Sequence, residues 1–306
     1  IRNTDDVTKL LNRIKKMKKI KTAAIIGVGL IGGSIGMALK KRTDIKVIGV
    51  GRHRQKLLKA LKLQAVDEIT TDFCAGVRKA DLVIMATPVE IISSTVKRLL
   101  PCFKKGAIIT DAGSVKKPVV EEIEKIISKR RLSFVGGHPM AGSEQKGIES
   151  ASPILFREAV CVLTPSSRTS PRALKTIKNL WGKMGARVIK MSPARHDEIV
   201  AFTSHLPHIL AYALVEVVDQ AAKGDPNVSL MIAGSFRDMT RIASSDPWLW
   251  SGICLENKDS VLSSIKKFNL ALKEIQRLIG RKKRAKLLKK LLHSKNIRDN
   301  VLKKVG

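Results

Sequence analysis

A glycine-rich segment near the start of the chain constrains the fold more than any other feature. Gly27, Gly29 and Gly32 lie between an apolar run at residues 22–27 and a helix-like stretch at residues 31–41. A strand, a tight glycine turn and a helix in this order are typical of the first βαβ unit of a dinucleotide-binding domain. The glycines permit the turn, the approach of a pyrophosphate to the backbone, and close packing of the helix on the strand.

Apolar runs and helix-like stretches alternate up to about residue 192. Because the runs are continuously apolar and helices separate them, they predict a parallel sheet covered by helices on both faces. Beyond residue 192 the strand signals stop, and successive helices are predicted at residues 196–222, 228–242 and 257–279. The predicted strands lie at residues 22–27, 45–50, 81–86, 107–110, 132–136, 160–163 and 187–191, and the helices between them at residues 31–41, 55–63, 89–100, 119–129 and 171–184.

This pattern predicts the α/β class, with a Rossmann-type parallel-sheet dinucleotide-binding domain followed by an all-helical domain. A chain of 306 residues is long enough for two such domains. We place a basic N-terminal extension at residues 1–20, the dinucleotide-binding domain at 21–192, the helical domain at 193–280, and a basic, helical C-terminal tail at 281–306.

The net charge of +32 is the unusual feature of the composition. Residues 1–21 hold 8 basic and 2 acidic residues, and residues 281–306 hold 11 basic and 1 acidic, so the two ends carry half of the net charge. A nucleic-acid-binding protein is one interpretation. It is disfavoured because neither end contains Phe, Tyr or Trp that could stack on bases. A globular enzyme with basic ends is the other interpretation.

Cysteines, apolar runs and the first residues bear on the compartment. Cys74, Cys102, Cys161 and Cys254 are widely spaced with no CxxC pair, which predicts free thiols in a reducing cytoplasm. Charges interrupt the apolar runs before the length of a membrane span and no signal peptide is evident, so we expect a cytoplasmic protein without a membrane-spanning helix. His, Cys and carboxylate side chains show no metal-ligand spacing, so we expect no metal.

The end of the second predicted strand bears on the choice of cofactor. An NAD site usually places Asp or Glu there against the ribose 2′-hydroxyl, whereas this chain has Gly51 followed by Arg52 and Arg54. Guanidinium groups bind a 2′-phosphate through charge-assisted hydrogen bonds, so we expect an NAD(P) site that prefers NADP. The alternative is that both arginines face solvent in a generally basic chain. The predicted cofactor-binding residues are Gly27, Gly29, Leu30, Ile31, Gly32, Arg52, Arg54, Thr87 and Pro88.

Further segments carry polar residues beside glycines or at strand ends. Residues 111–116 (DAGSVK) and 136–144 (GGHPMAGSE) each follow a predicted strand, where open α/β sheets bind ligands. The predicted helical domain holds residues 203–208 (TSHLPH), 234–243 (GSFRDMTRIA) and 245–250 (SDPWLW). Together with the glycine turn, these segments in this order resemble the prephenate/arogenate dehydrogenase family of tyrosine biosynthesis over about residues 22–279.

The resemblance implies an NAD(P)-dependent oxidative decarboxylation of prephenate or arogenate, without distinguishing the two substrates. It also implies a homodimer formed by the helical domain. Some members carry additional domains, for which this chain is too short, so we expect the unfused form. His138 would take the proton of the substrate ring hydroxyl, since a neutral imidazole titrates near working pH. Ser114 would hydrogen-bond the same hydroxyl and orient the histidine, and Arg241 would bind a substrate carboxylate.

The resemblance places further side chains in the substrate pocket. His208 is favoured over His205 as the substrate contact, and Asp238, one helical turn before Arg241, would orient that arginine. The alternatives are Ser114 as a helix cap, Asp238–Arg241 as a structural ion pair, Glu144 exposed to solvent, and Trp248 and Trp250 in the core or a dimer interface. The implied substrate-binding residues are Arg241, His208, Ser204, His205, Glu144, Asp238 and Trp250.

Other two-domain NAD(P) oxidoreductases are the competing interpretation. A 3-hydroxyacid dehydrogenase or a pyrroline-5-carboxylate reductase would share the predicted fold, so the fold does not separate these functions. Such enzymes would place a lysine or other polar groups in the helical domain, where this chain has SHLPH and FRDMTRIA.

Overall fold

The computed structural model describes residues 20–142, 145 and 147–305. The N-terminal extension expected at residues 1–20 therefore lies, except for Ile20, outside the described residues. Within them, eight strands form one sheet. The strands are β1 (Thr22–Ile26), β2 (Lys46–Val50), β3 (Glu68–Thr70), β4 (Leu82–Met85), β5 (Ile108–Asp111), β6 (Ser133–Pro139), β7 (Val160–Thr164) and β8 (Arg187–Lys190).

The strand order is β3-β2-β1-β4-β5-β6-β7-β8, and neighbouring strands are parallel except for the antiparallel pair β6 and β7. Alternate residues of β1 face opposite sides of the sheet, as strand geometry requires. Ala23 and Ile25 pack in one apolar core, and Ala24 and Ile26 pack in the other. A central strand that is apolar on both faces is therefore buried on both, as expected for a parallel sheet covered by helices.

Helices supply the outer layers of the two cores. The helices α1 (Leu30–Arg42) and α6 (Pro171–Lys183) cover one face of the sheet, and α4 (Ile92–Leu99) and α5 (Lys117–Ile127) cover the other. The predicted α/β fold class is confirmed. The remaining helices of this part are α2 (Arg54–Lys62) and α3 (Phe73–Arg78).

From Pro193 onward the described chain is helical. Ser192 caps the first of these helices by accepting a hydrogen bond from the backbone N–H of Arg195, and a π-helical turn at Ala201–His205 continues it into the next. The helices are α7 (Pro193–Val200), α8 (Leu206–Gly224), α9 (Asn227–Leu230), α10 (Gly234–Thr240), α11 (Pro247–Glu256), α12 (Lys258–Gly280) and α13 (Arg284–Val305).

Several short elements differ from the sequence prediction. β3, α3 and α11 were not predicted, since three to ten residues give too little periodicity to recognise. β6 extends to Pro139, beyond the predicted end at residue 136, because its last four residues pair with antiparallel β7. His138 therefore lies within this strand, not after it.

The expectation of free thiols is wrong for two of the four cysteines. Cys74 and Cys102 form a disulfide, with their Cα atoms 5.3 Å apart. Cys74 lies on α3 and Cys102 follows α4, so the packing of two neighbouring helices brings together residues that are 28 positions apart. Sequence spacing alone does not reveal such a contact. Cys161 and Cys254 are free.

One helical run nevertheless comes close to the length and apolarity of a membrane span, although Glu198 and Glu216 bound its uncharged stretch at residues 199–215. The helical run Pro193–Gly224 contains an 18-residue window with a mean hydropathy of 1.3, long and apolar enough to cross a membrane by length and composition alone. Only 22% of that window is buried within the chain. Exposed apolar side chains continue on other helices of this part, including Leu230, Met231, Trp248 and Leu255, each more than 70% exposed. A surface of this kind is typical of an interface.

The helical part is joined to the sheet part by buried polar contacts. Asp197 on α7 accepts hydrogen bonds from the backbone N–H groups of Lys116 and Lys117, each at 2.8 Å, and so caps α5. Asn257 donates a hydrogen bond to the backbone carbonyl of Asp197 (2.9 Å). Asp197 and Asn257 are almost fully buried, so these bonds fix α7 against the N-terminus of α5.

We predict that Gly32→Ala destabilises the protein whereas Gly29→Ala does not. A Cβ on Gly32 would lie 2.0 Å from the backbone oxygen of Gly27 and would push α1 away from β1, while a Cβ on Gly29 meets nothing within 4 Å. Overpacking of this kind costs about 1–3 kcal/mol in the free energy of unfolding. Chemical denaturation of the two variants and the wild type measures it, and equal stability of both variants would contradict the packing described.

Candidate active site

The glycine turn between β1 and α1 leaves room for a phosphate. Gly27 has φ of +93°, and a Cβ there would lie 2.5 Å from the carbonyl oxygen of Ala86, so this position requires glycine. Gly29 precedes α1 without a side-chain cap, and the first turn of the helix holds no acidic residue. The N–H groups and the positive end of the helix dipole are therefore directed at the space above Gly29.

Thr87 and Pro88 follow β4, the strand next to β1, at the point where the strand order reverses direction. The Thr87 hydroxyl oxygen is buried and makes no hydrogen bond within the described part of the chain. A buried hydroxyl without a partner costs free energy, so this atom fits a bound ligand that supplies one. Leu30 and Ile31, in the first turn of α1, are half-buried beside this space. The residues present thus fit a dinucleotide.

The end of β2 presents Arg52 and Arg54 to solvent. Gly51 follows the strand, and Arg54 is the first residue of α2. A Cβ on Gly51 would lie 3.3 Å from the side chain of Leu57. The Cβ of an acidic residue at this position would therefore be in tight contact with Leu57 on α2. Both arginines are exposed. Exposure is expected for a side chain that binds a ligand phosphate and equally for one that only meets solvent, so it does not separate the two interpretations.

A buried ion pair lies between the ends of β5 and β6. Lys116 and Asp111 are both fully buried, and the lysine ammonium donates hydrogen bonds to the Asp111 carboxylate and to the backbone oxygen of Gly137, the latter at 2.9 Å. Asp111 also accepts hydrogen bonds from the backbone N–H groups of Gly113 (2.9 Å) and Gly137 (3.0 Å). Two of these bonds, one from each ion, hold the backbone of Gly137 immediately before His138. The pair thereby fixes the position of that residue.

His138 lies near the carboxyl end of β6 with 8% of its surface exposed. Burial lowers its pKa well below the usual 6.5, and the neighbouring charges of His196, Lys116 and His205 lower it further. The imidazole is therefore neutral at pH 7. Its Nδ1 lies 2.8 Å from Nε2 of His196, so Nε2 of His138 is the nitrogen left to face a ligand.

His196 and Asp197, at the start of the helical part, complete a buried chain of hydrogen bonds. Nδ1 of His196 lies 2.7 Å from the Asp197 carboxylate, and its Nε2 contacts His138. Both residues are at most 3% exposed. The chain Asp197–His196–His138 was not predicted from the sequence.

Three aromatic side chains meet between the π-helical turn, α8 and α11. The ring of His208 stacks on Trp250 with centroids 3.5 Å apart, and His205 lies edge-on to the same indole at 5.9 Å. Nδ1 of His208 lies 2.9 Å from the backbone oxygen of Ser204, which is half-buried. Trp250 is thus partly buried against two histidines of the predicted pocket, whereas Trp248 is 83% exposed.

The pKa of each histidine of the predicted site is affected by the charge of a neighbouring site residue. Burial lowers the pKa of His205 to about 4, with Asp197 opposing that change and His196 and His208 adding to it. Burial also lowers the pKa of His208, and the Arg241 guanidinium adds to that decrease. Since His205 in turn affects His138, the charges interact in sequence from His138 through His205 and His208 to Arg241. Neutral histidines therefore separate the candidate base from an exposed cation.

The other predicted residues are placed less specifically. Ser114 is half-buried between β5 and α5, and the cap position of α5 is occupied by Lys116, so the alternative of Ser114 as the helix cap is not supported. Asp238 is exposed on α10 and lies three residues before Arg241, which is the first residue of a short 3₁₀ turn. Glu144 lies outside the described residues. Among the described residues, no group of three or more His, Cys, Asp or Glu side chains could hold a metal ion.

Two family profiles match the chain. That of the prephenate dehydrogenase nucleotide-binding domain matches residues 35–190, and that of the prephenate dehydrogenase dimerization domain matches residues 192–293. The chain belongs to the prephenate dehydrogenase family. It is therefore an oxidoreductase, and the resemblance recognised from its motifs is confirmed.

Individual members of the prephenate dehydrogenase family match most of the chain. A prephenate dehydrogenase of Bacillus subtilis is 37% identical over 92% of this chain and 76% of its own length. A cyclohexadienyl dehydrogenase of Zymomonas mobilis is 36% identical over 86% of this chain and 90% of its own length.

Solved structures of the family have the same fold. The prephenate dehydrogenase of Aquifex aeolicus in complex with hydroxyphenyl propionate and NAD+ has a TM-score of 0.87 and 36% identity, and the match covers 94% of this chain and all of that one. The arogenate dehydrogenase of Synechocystis has a TM-score of 0.78 and 30% identity, covering 92% of this chain and 99% of that one.

The sequence prediction missed the polar residues that support the site from behind. Lys116 was part of a recognised motif, but lysine is almost never fully buried, and nothing distinguishes it in sequence from the exposed Lys117 beside it. His196 and Asp197 lie at the start of a predicted helix, where polar residues are ordinarily solvated. The weak signal available was a His-Asp pair at the head of a long apolar helix.

We predict that His138 and His205 remain neutral down to pH 5.5. Both have pKa values lowered mainly by burial, His205 to about 4, so neither ring gains a proton between pH 7.5 and 5.5. An unfolded histidine has a pKa near 6.5 and does gain one, so these groups destabilise the folded state as the pH falls below about 6.5. NMR titration of 15N-histidine-labelled protein, with the urea-unfolded chain as control, measures this. Protonation of either ring near pH 6.5 in the folded protein would contradict the prediction.

Proposed function

We propose that this chain catalyses the NAD(P)-dependent oxidative decarboxylation of prephenate or arogenate in tyrosine biosynthesis. The observation that carries the proposal is the neutral, buried His138 at the sheet edge that also holds the glycine turn, with one ring nitrogen occupied and the other left for substrate. The family membership, with relatives named prephenate, cyclohexadienyl and arogenate dehydrogenase, supports the same reaction.

His138 acts as the base in the proposed reaction. The substrate ring carries a hydroxyl and a hydrogen on one carbon and a carboxylate on the opposite carbon. The O–H bond breaks as its proton passes to Nε2 of His138, and the remaining electron pair forms a C=O bond while hydride leaves the same carbon. Loss of CO2 then returns an electron pair to the ring, and the phenolate formed takes the proton back from His138. The bound nicotinamide supplies the hydride acceptor.

The other residues bind and orient the substrate in this proposal. Ser114 hydrogen-bonds the ring hydroxyl, and Arg241 binds a carboxylate through its charged guanidinium. His208, stacked on Trp250, forms the wall of the pocket next to Arg241. Asp238 orients the arginine, and Ser204, His205 and Glu144 complete the pocket.

The proposed cofactor preference is for NADP over NAD. Gly51 replaces the acidic residue that would repel a 2′-phosphate, and Arg52 and Arg54 lie exposed at the end of β2, where that phosphate would bind. In the same proposal Gly27 forms the turn, Gly29 lets the backbone approach the pyrophosphate, and Gly32 lets α1 pack closely on β1.

The proposed assembly is a homodimer formed through the helical part, and the proposed compartment is the cytoplasm. The exposed apolar side chains of the helical run Pro193–Gly224 and of its neighbours support the dimer, because a second copy would cover them. The matching of a dimerization domain to residues 192–293 points the same way.

The proposed activity is tested by supplying prephenate and arogenate, each with NAD and with NADP, and measuring reduced cofactor and CO2. We expect equal amounts of both products with at least one substrate, and no reaction with 3-hydroxy acids. His138→Gln should lower kcat by about 10²–10⁴-fold without changing cofactor affinity, since the base acts only in the chemical step. Turnover of a 3-hydroxy acid, or near-normal turnover by His138→Gln, would overturn the proposal.

The cofactor proposal is tested with a double variant, Arg52→Gln with Arg54→Gln. Loss of two phosphate contacts should lower kcat/KM for NADP by about 10–100-fold and leave that for NAD nearly unchanged. This is less than the full contribution of about 1.5–3 kcal/mol for each charged hydrogen bond, because both arginines are exposed to solvent. Lys175→Gln and Lys178→Gln, two exposed residues of α6, provide a matched loss of two positive charges, because α6 packs beside β6 and β8 at the other end of the strand order. An equal decrease with both cofactors would indicate a general charge effect and contradict a 2′-phosphate site.

A further inference from the structure

The hydrogen-bond chain Asp197–His196–His138 has a direction that the chemistry of its groups determines. A carboxylate only accepts hydrogen bonds, so at 2.7 Å from Asp197 the Nδ1 of His196 carries the proton of that bond. In a neutral imidazole the second nitrogen then lacks a proton, so Nε2 of His196 is an acceptor. His138 Nδ1, 2.8 Å away, is consequently the donor.

We infer that His196 and Asp197 are positioning residues that hold His138 in its Nδ1–H tautomer. In that tautomer Nε2 of His138 carries a lone pair and no proton, which is the form a base requires. The reverse tautomer would present an N–H to the substrate hydroxyl and could not accept its proton. The inference deepens the proposed function and rests on His138 being the base.

The surroundings of Asp197 hold its carboxylate in a fixed position. Its two oxygens accept hydrogen bonds from the backbone N–H groups of Lys116 and Lys117, at the N-terminus of α5, where the helix dipole favours a negative charge. Asn257 holds the backbone of the same residue. Asp197 is 3% exposed, so no bulk water competes for these donors.

The geometry also stabilises the protonated base during turnover. Once His138 holds the substrate proton at Nε2, its Nδ1–H still donates to His196, and the Asp197 carboxylate lies at the far end of the same chain. The buried cation Lys116 opposes a positive charge on His138, but it is already paired with Asp111. The positive charge that His138 gains is therefore balanced by the Asp197 carboxylate, whose hydrogen-bond partners from the sheet part are the uncharged backbone N–H groups of Lys116 and Lys117.

The test compares His196→Leu with His196→Gln. Leucine fills a similar volume but offers no acceptor to His138, whereas the glutamine carbonyl oxygen sits as many bonds from Cβ as the lost Nε2 and preserves one. We expect His196→Leu to lower kcat by about 100-fold or more, since misorienting a catalytic histidine can cost up to about 10⁴-fold, while KM and cofactor affinity change less than about threefold. His196→Gln should recover at least tenfold of that loss. His293→Leu, an exposed histidine on α13, is the matched control.

A second readout needs no activity. The 15N chemical shifts of His138 report which ring nitrogen carries the proton, and the signals are assigned by their loss in His138→Gln. We expect the Nδ1–H tautomer in the wild type and in His196→Gln, and a shift toward the Nε2–H tautomer in His196→Leu.

The outcomes separate the inference from the proposed function. An Nε2–H tautomer in the wild type, or an unchanged tautomer with unchanged kcat in His196→Leu, overturns the positioning role and leaves the dehydrogenase proposal standing. A wild type that shows the expected tautomers but turns over neither substrate overturns the proposed function alone. Equal loss of kcat in the leucine and glutamine variants, with unchanged tautomers, would also refute the inference.

Discussion

The rest of this structure depends on the hydrogen bonds that the buried Asp197 carboxylate accepts. The carboxylate caps α5 of the sheet part with two backbone hydrogen bonds and, from α7 of the helical part, binds His196. One buried charge therefore joins the two parts of the chain and reaches the candidate base. Its burial would be costly without partners, but the N–H groups of α5, the imidazole and the helix dipole supply them. The active-site geometry and the contact between the two parts are thus the same set of bonds.

A second buried charge network approaches His138 from the other side. Lys116 and Asp111 hold the backbone of Gly137, directly before the histidine, and Lys116 is also the residue whose N–H Asp197 accepts. Lys116 therefore belongs to both networks, through its side chain in one and its backbone in the other. Replacing either Lys116 or Asp111 by an uncharged residue would leave the other charge unpaired in the core. In similar cases this lowers the free energy of unfolding by about 3–5 kcal/mol. A rigid backbone and a fixed ring partner together leave His138 little freedom.

The sequence predicts the parts of this site whose chemistry depends on local pattern. The glycine turn was recognisable because Gly27 and Gly32 are required by contacts within one βαβ unit, and the strands of the central sheet because they are apolar on both faces. Family motifs led to the prediction of His138 as the base and of Arg241 as a substrate contact, and both roles stay predictions. The disulfide between Cys74 and Cys102, the burial of Lys116 and the contact of His196 with His138 were not predictable. Each depends on the packing of elements distant in sequence, which no local pattern encodes.

Charge gave the least information about function. Half of the +32 lies in the two ends, and the C-terminal end is the exposed helix α13. The polar groups around His138 are instead buried histidines and a buried ion pair. The basic surface would attract an anionic substrate and cofactor, an effect that salt would reduce.

Neutron diffraction from a crystal grown in D2O near pD 7.5 tests the central claim most directly, because it locates exchangeable protons on ring nitrogens. The structure predicts deuterium on Nδ1 of His196 and on Nδ1 of His138, with none on Nε2 of His138. Deuterium on Nε2 of His138 would contradict the account, since the ring would then present a donor to the substrate hydroxyl and could not act as its base.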